Sequence, residues 1–127
     1  RPYLKVDSMT VSCDEGNLLD CGRDTRPVKT TPEDVTAQGI YDLIGNVHEH
    51  VRGWYDPGYY RRAPAQDPPG ADMPQIRPGL KDLVPLRGGS YQEQPIFSTL
   101  TYRGFRHLVR HTDERRNLGF RCVRNTR

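Results

Sequence analysis

Proline and glycine punctuate this chain from end to end, eleven of the one and twelve of the other in 127 residues. Proline removes a backbone donor and fixes φ, and a glycine costs about 1 kcal/mol relative to alanine inside a helix. Long uninterrupted elements are therefore disfavoured along most of the length. Only 34% of residues are hydrophobic, so the core must be modest, although a chain of this size can bury about two-thirds of its unfolded surface. These constraints predict one small, loop-rich domain over residues 1–127, built from short elements. No apolar run is long enough to span a membrane and no signal-peptide pattern opens the chain, so no membrane partner is expected.

The net charge is +3, with 19 Lys and Arg against 16 Asp and Glu. The excess gathers at the end, where Arg103, Arg106, Arg110, Arg115, Arg116, Arg121, Arg124 and Arg127 face only Asp113 and Glu114. Such a tail suits an anionic ligand or nucleic acid. The reading favoured is structural, with these arginines pairing to carboxylates and pinning loops, because no aromatic-plus-basic motif of an RNA-binding module accompanies them. The cysteines are Cys13, Cys21 and Cys122. An odd count fits either one bridge and one free thiol or three thiols, and the lack of a C-x-x-C pair disfavours a zinc ribbon.

Along the chain, residues 3–12 alternate weakly and predict a strand, and Thr31-Pro32-Glu33-Asp34 predicts one helical turn. Residues 56–82 read as an irregular excursion. Residues 83–91 predict a short strand running into the pair Gly88-Gly89, and 117–124, alternating apolar and basic, predict a last strand. The most informative stretch is GIYDLIGNVHEH, residues 39–50. Ile40, Leu43, Ile44, Val47 and Val51 have helical spacing, yet from Val47 onward the alternation is that of a strand. A helical turn ending at a left-handed Gly45, then a strand, satisfies both patterns.

GIYDLIGNVHEHVRGWYD, a following DPPG, LRGGSY, and NLGFRCVR resemble, in that order, motifs of the formylglycine-generating-enzyme or sulfatase-modifying-factor family. The resemblance spans residues 39–124. It implies an irregular α+β, C-type-lectin-like fold with short strands and little regular secondary structure. It also implies that this chain is the C-terminal portion of a longer domain, or a minimal version of one, of bacterial origin.

The resemblance further implies a structural calcium ion at the bend, held by the Asp42 side chain, the Gly45 and Val47 carbonyls and the Glu49 carboxylate, an oxygen-rich set that suits calcium. The alternative is that Asp42 caps a turn while Glu49 pairs with an arginine. His48 and His50 stand where the family carries tryptophans. With His107 and His111 they form a candidate transition-metal set, against the preferred reading of four ordinary hydrogen-bonded or exposed rings. Cys122 follows the family's G-F-R and has Cys13 or Cys21 as candidate bridge partner, Cys13–Cys122 being the pairing adopted, unless it is a reduced, buried thiol.

The family's catalytic cysteine pair, which holds copper, follows G-G-S-Y. Here Gly88-Gly89-Ser90-Tyr91 is followed by Gln92-Glu93-Gln94-Pro95-Ile96-Phe97-Ser98, with Glu93 and Ser98 in the cysteine positions. Neither group holds Cu(I) as thiolates do, so no copper and no formylglycine chemistry are expected. The expected role is a non-catalytic recognition module, stabilised by calcium, for a protein or peptide partner or for the missing N-terminal half, with Tyr91, Glu93, Tyr102, Arg103, Arg106 and Arg110 lining its ligand groove. The alternative is an oxidoreductase whose site is completed by a missing half or a partner chain.

Overall fold

A computed structural model of the chain describes residues 10–73, 82–99, 101–107 and 116–124, with the backbone alone for 105–107. Its strands are β1 (His48–His50), β2 (Leu83–Arg87), β3 (Gly104–His107) and β4 (Leu118–Gly119). They form one mixed sheet in the order β3-β2-β1-β4. β1 lies antiparallel to β2, with Glu49 opposite Arg87, and parallel to β4, with His48 beside Leu118 and Glu49 beside Gly119. β2 pairs antiparallel with β3, from Leu83 opposite His107 to Leu86 opposite Gly104. The helical content of the described residues is 3-10 only, at Leu19–Cys21, Tyr59–Arg61 and Pro95–Ser98. Short strands and little helix are what the spread of proline and glycine predicts.

In β2, Leu83, Val84 and Leu86 are all buried, so this strand is covered on both faces. Leu18, Ile44 and Tyr91 complete the apolar centre. Much of the remaining interior is polar: of the largest side chains that are fully buried, Leu83 is joined by Asn17, Asp34 and Ser90. A chain poor in aliphatic residues thus fills its centre with side chains that must be hydrogen-bonded to be tolerated there.

Some expectations are met in form and others are corrected. Thr31-Pro32-Glu33-Asp34 makes a single turn, the Asp34 amide donating to the Thr31 carbonyl at 3.2 Å. β2 runs into Gly88 and Gly89 as expected, both at positive φ. The last strand is only Leu118–Gly119. No helical turn precedes Gly45: Asp42 has φ of 57°, and Tyr41 instead makes an antiparallel bridge with Val35. Ile40, Leu43 and Ile44 therefore owe their spacing to tertiary surroundings, Ile44 being buried and Ile40 exposed. Most of the strand expected over 3–12 lies outside the described residues, and 10–12 form none.

The cysteine pairing is also corrected. Cys13 bonds to Cys21, eight residues away, and Cys122 is a free, exposed thiol. Cys13 is held in the loop that wraps Leu18, whereas Cys122 lies beyond β4, so the long Cys13–Cys122 bridge does not form. Native protein should accordingly titrate one reactive thiol with Ellman's reagent and three after reduction and unfolding. Cutting this short loop should cost about 2.5 kcal/mol in a denaturant melt.

Candidate functional site

The bend at Gly45-Asn46 fixes the rest of the site. Gly45 has φ of 78° and Asn46 of 64°. A Cβ on Gly45 would sit 2.1 Å from the Asn17 carbonyl oxygen, so only glycine fits. The Gly45 amide donates to the Gly88 carbonyl (2.6 Å) and the Asn46 amide to the Asn17 carbonyl (2.8 Å). The Asn46 side chain accepts from the Arg26 amide (2.9 Å) and from Asn17 Nδ2 (3.1 Å), and donates to the Arg26 carbonyl (3.2 Å). Arg26 reaches on to the carbonyls of Cys13 and Cys21, clamping the disulfide loop.

The two carboxylates expected to bind calcium are both engaged by protein donors. Arg121 holds both oxygens of Glu49, with Nε to Oε2 at 2.6 Å, and donates to the Tyr41 (2.9 Å) and Asp42 (2.7 Å) carbonyls. Asp42 Oδ2 is turned to the Lys29 amide at 2.9 Å. The Asp42 carbonyl and the Glu49 carboxylate thus share one guanidinium. A guanidinium supplies positive charge beside Glu49, which is the arginine pairing expected as the alternative to calcium. The parallel register explains the reach, since Arg121 lies two residues past Gly119, the β4 neighbour of Glu49. The bond to Glu49 is also the main cause that pushes the Arg121 pKa further up.

Beneath this contact Asp34 is buried, accepting from the Ile44 amide at 2.8 Å through Oδ2. Burial pushes its pKa up from the usual 3.8 to about 6, with Asp42 adding to the rise and the Ile44 amide opposing it.

The segment after the glycine pair packs against β1. A Cβ on Gly89 would lie 1.9 Å from Ser98 Oγ, so the loop closes tightly over Pro95–Ser98. Glu93 is fixed at its backbone, its amide donating to Ser90 (3.0 Å) and its carbonyl accepting from Leu19 (3.1 Å). Its Oε1 lies 2.8 Å from Nε2 of the buried His48. Oε2 of Glu93 and Oγ of Ser98 are buried without a hydrogen-bond partner. Gln92 donates to the Tyr91 hydroxyl (3.2 Å) and accepts from Asn117 (2.9 Å). The Asn117 carbonyl in turn receives the His48 amide (2.8 Å).

The expected groove residues divide between two neighbourhoods. Tyr91 and Glu93 belong to this one, with Tyr91 buried. Tyr102 and Arg103 belong to an aromatic cluster. The Arg103 guanidinium stands 5.0 Å from the Tyr55 ring centre and 4.7 Å from that of Tyr60, and Tyr102 packs edge-on to Phe97 at 5.5 Å. Arg87 donates to the Thr101 and Tyr102 carbonyls and to the Tyr60 hydroxyl. Arg106 lies on β3, opposite Val84. Arg110 and His111 fall outside the described residues. His107 is on β3, opposite Leu83, whereas His48 is on β1, and no group of three or more metal-type side chains occurs among the described residues.

A profile of the sulfatase-modifying factor enzyme 1-like domain matches residues 18–126. This chain belongs to the sulfatase-modifying-factor family. It is similar to the formylglycine-generating enzyme of Streptomyces coelicolor, 32% identical over 99 residues, covering 78% of this chain and 29% of that protein. It also resembles the structure of PvdO from Pseudomonas aeruginosa, with a TM-score of 0.65 and 27% identity over 94% of this chain and 42% of that one. The chain thus spans less than a third of the enzyme and less than half of PvdO. The family profile matches a region that includes the Gly45 bend, the Gly88-Gly89 loop and Gly119 through Arg121.

The pairing of Glu49 with Arg121 predicts that Arg121→Ala will cost about 2–3 kcal/mol of stability. Lysine should restore little of it, since an ammonium cannot span a carboxylate and two carbonyls. Millimolar calcium or a chelator should leave the wild-type Tm unchanged, and a calcium-dependent rise would mean that the ion displaces the guanidinium.

Asp34 predicts a pH effect of defined sign. Between pH 3.8 and about 6 the folded chain binds a proton that the unfolded chain has released, so this group adds stability as pH falls through 6, and that stability is lost as pH rises. Thermal melts should show a Tm difference between pH 5 and pH 7 that shifts by this contribution between wild type and Asp34→Asn, the variant lacking the Asp34 gain at pH 5.

Proposed function

We propose that this domain is a non-catalytic recognition module of the sulfatase-modifying-factor family, binding a protein or peptide partner. The observation that carries the proposal is the segment behind Gly88-Gly89. Glu93 and Ser98 stand where the resemblance puts the copper-holding cysteines, while Cys13 and Cys21 are consumed in a bridge and Cys122 is single. One thiolate does not make the two-sulfur site that Cu(I) oxidation chemistry uses. An oxidoreductase assembled with another half or a partner chain would have to bring its thiols from elsewhere. The proposal does not depend on calcium, since Arg121 already supplies a positive charge at Glu49.

Recognition is supported by the chemistry of the surface beside β2 and β3. Tyr60, Phe97 and Tyr102 are exposed near Arg103, whose guanidinium lies over the rings of Tyr55 and Tyr60. Tyrosine and arginine are the residues that most often dominate binding energy, since they offer large rigid area together with hydrogen-bonding edges.

The test has two arms. A cysteine peptide carrying the sulfatase motif, incubated with the chain, Cu(I) and oxygen, should keep its mass; conversion to the aldehyde would overturn the reading. A displayed random-peptide library should enrich binders whose affinity falls about tenfold or more in Arg103→Ala, a hot-spot loss. A library that enriches nothing would count against recognition.

A further inference from the structure

We infer that the guanidinium of Arg103 is the receptor for one acidic side chain, Asp or Glu, of a bound peptide. The inference rests on the recognition reading and names the chemistry that the module selects. Arg103 is half-buried, and its guanidinium lies 5.0 Å from the centre of the Tyr55 ring and 4.7 Å from that of Tyr60. Among the described residues these rings are its partners, and it makes no hydrogen bond or ion pair. A donor fork that matches a carboxylate is thus left without an acceptor from the chain.

Ring contact and carboxylate binding do not compete. The charge of a guanidinium is drawn to a ring face and needs no acceptor there, whereas a carboxylate takes the N–H edges of the fork in pairs. The tyrosines therefore serve as a mount. That mount hangs on β2, whose last residue, Arg87, donates to the Thr101 and Tyr102 carbonyls and to the Tyr60 hydroxyl. One guanidinium so ties the chain leading into Arg103 to a ring beneath it. The Tyr55 amide donates to Leu83, the first residue of the same strand, at 2.8 Å. Arg103 itself precedes β3, whose Gly104 stands opposite Leu86. A fork held in place before the ligand arrives loses little freedom on binding.

The surrounding contacts choose the occupant. Arg87 brings a second positive charge to Tyr60, so the complement is an anion. Arg87 is committed to carbonyls and a hydroxyl, and Arg62, two residues past Tyr60, to Asp56. The open fork of Arg103 suits one carboxylate, whereas a nucleic-acid strand calls for a row of charges and a phosphorylated side chain for a cluster of arginines. The amides of Phe97 and Tyr102 are already given to the Gln94 and Thr99 carbonyls at 3.0 Å. They build no nest of the kind that captures a chain terminus, which leaves an acidic side chain.

The experiment titrates the isotopically labelled chain with pools of short capped peptides, random in uncharged residues except for one position fixed as Glu, Gln, Lys or phosphoserine. A Gln pool with a free C-terminal carboxylate and an oligouridylate complete the probes. NMR follows the Arg103 Nε–H and the Tyr60 ring. The expected result is a saturable shift with the Glu pool and binding about tenfold weaker or absent with the Gln pool. Arg103→Lys, which keeps the charge and loses the fork, should weaken the Glu pool about tenfold at unchanged Tm. Arg103→Glu should move the preference to the Lys pool. Equal binding of the Glu and Gln pools, no shift with the Glu pool, or undiminished Glu binding by either folded variant would overturn the inference. Tighter binding of the phosphoserine pool, the free-carboxylate pool or the oligouridylate would overturn it too. Library peptides that depend on Arg103 yet carry no acidic residue would sink it while leaving the recognition reading intact, whereas conversion of the cysteine peptide would sink that reading.

Discussion

Everything in this structure is arranged around one backbone reversal, the pair of left-handed residues Gly45 and Asn46. Two segments far apart in sequence press on it from opposite sides: Asn17 approaches so closely that a side chain at 45 is impossible, and Gly88 accepts the Gly45 amide. A bend of this kind is costly unless its surroundings determine it fully. Here they do, because Asn46 spends its side chain on both polar groups of the Arg26 backbone, as a neighbouring strand would. Arg26 then carries the constraint to the Cys13–Cys21 loop. A chain with few aliphatic residues thereby substitutes directional bonds for hydrophobic volume, which explains why Asn17, Asp34 and Ser90 rank among its most buried side chains.

The bend also decides what β1 presents. Because Gly45 hands the chain to the Gly88 loop and Asn46 to Asn17, the strand starts at His48 with its register fixed on two neighbours. Glu49 is then delivered to Arg121 and His48 to Glu93. These contacts fall on consecutive residues, which in a strand point to opposite faces. One ties the last strand to the bend, and the other faces the loop behind the glycine pair. A one-residue slip of β1 would exchange the two and break both.

The parts of this architecture that can be read from sequence are those set by local backbone chemistry. The Pro and Gly spread, the Gly88-Gly89 pair after a buried strand and the left-handed Gly45 leave local signatures, and the structure carries each of them. The parts that cannot be read depend on which distant group arrives. The spacing of Ile40, Leu43 and Ile44 imitates a helix, but the positive φ of Asp42 and the bridge from Tyr41 to Val35 arise from packing against residues 31–36. The partner of Cys13 is set by the short loop around Leu18, not by motif order. The charge beside Glu49 was open between a metal and an arginine, and a sequence has no means of showing that a parallel register carries Arg121 onto it. The hold of Arg26 on Cys13 and Cys21 likewise depends on groups that only the fold brings together.

The departures from the family pattern are best understood together. By the motif resemblance, His48 stands at a tryptophan position of the family and Glu93 at a cysteine position. Forty-five residues separate them, yet their side chains meet at 2.8 Å. Each change alone is unfavourable in this interior: a polar ring in the space of an indole lacks a partner, and a carboxylate in the space of a thiol lacks a donor. Side by side, each supplies what the other needs, a donor for the carboxylate and a partner for the buried ring. The chain thus keeps a polar centre of oxygen and nitrogen behind its glycine loop, closed by a contact between two segments far apart in sequence.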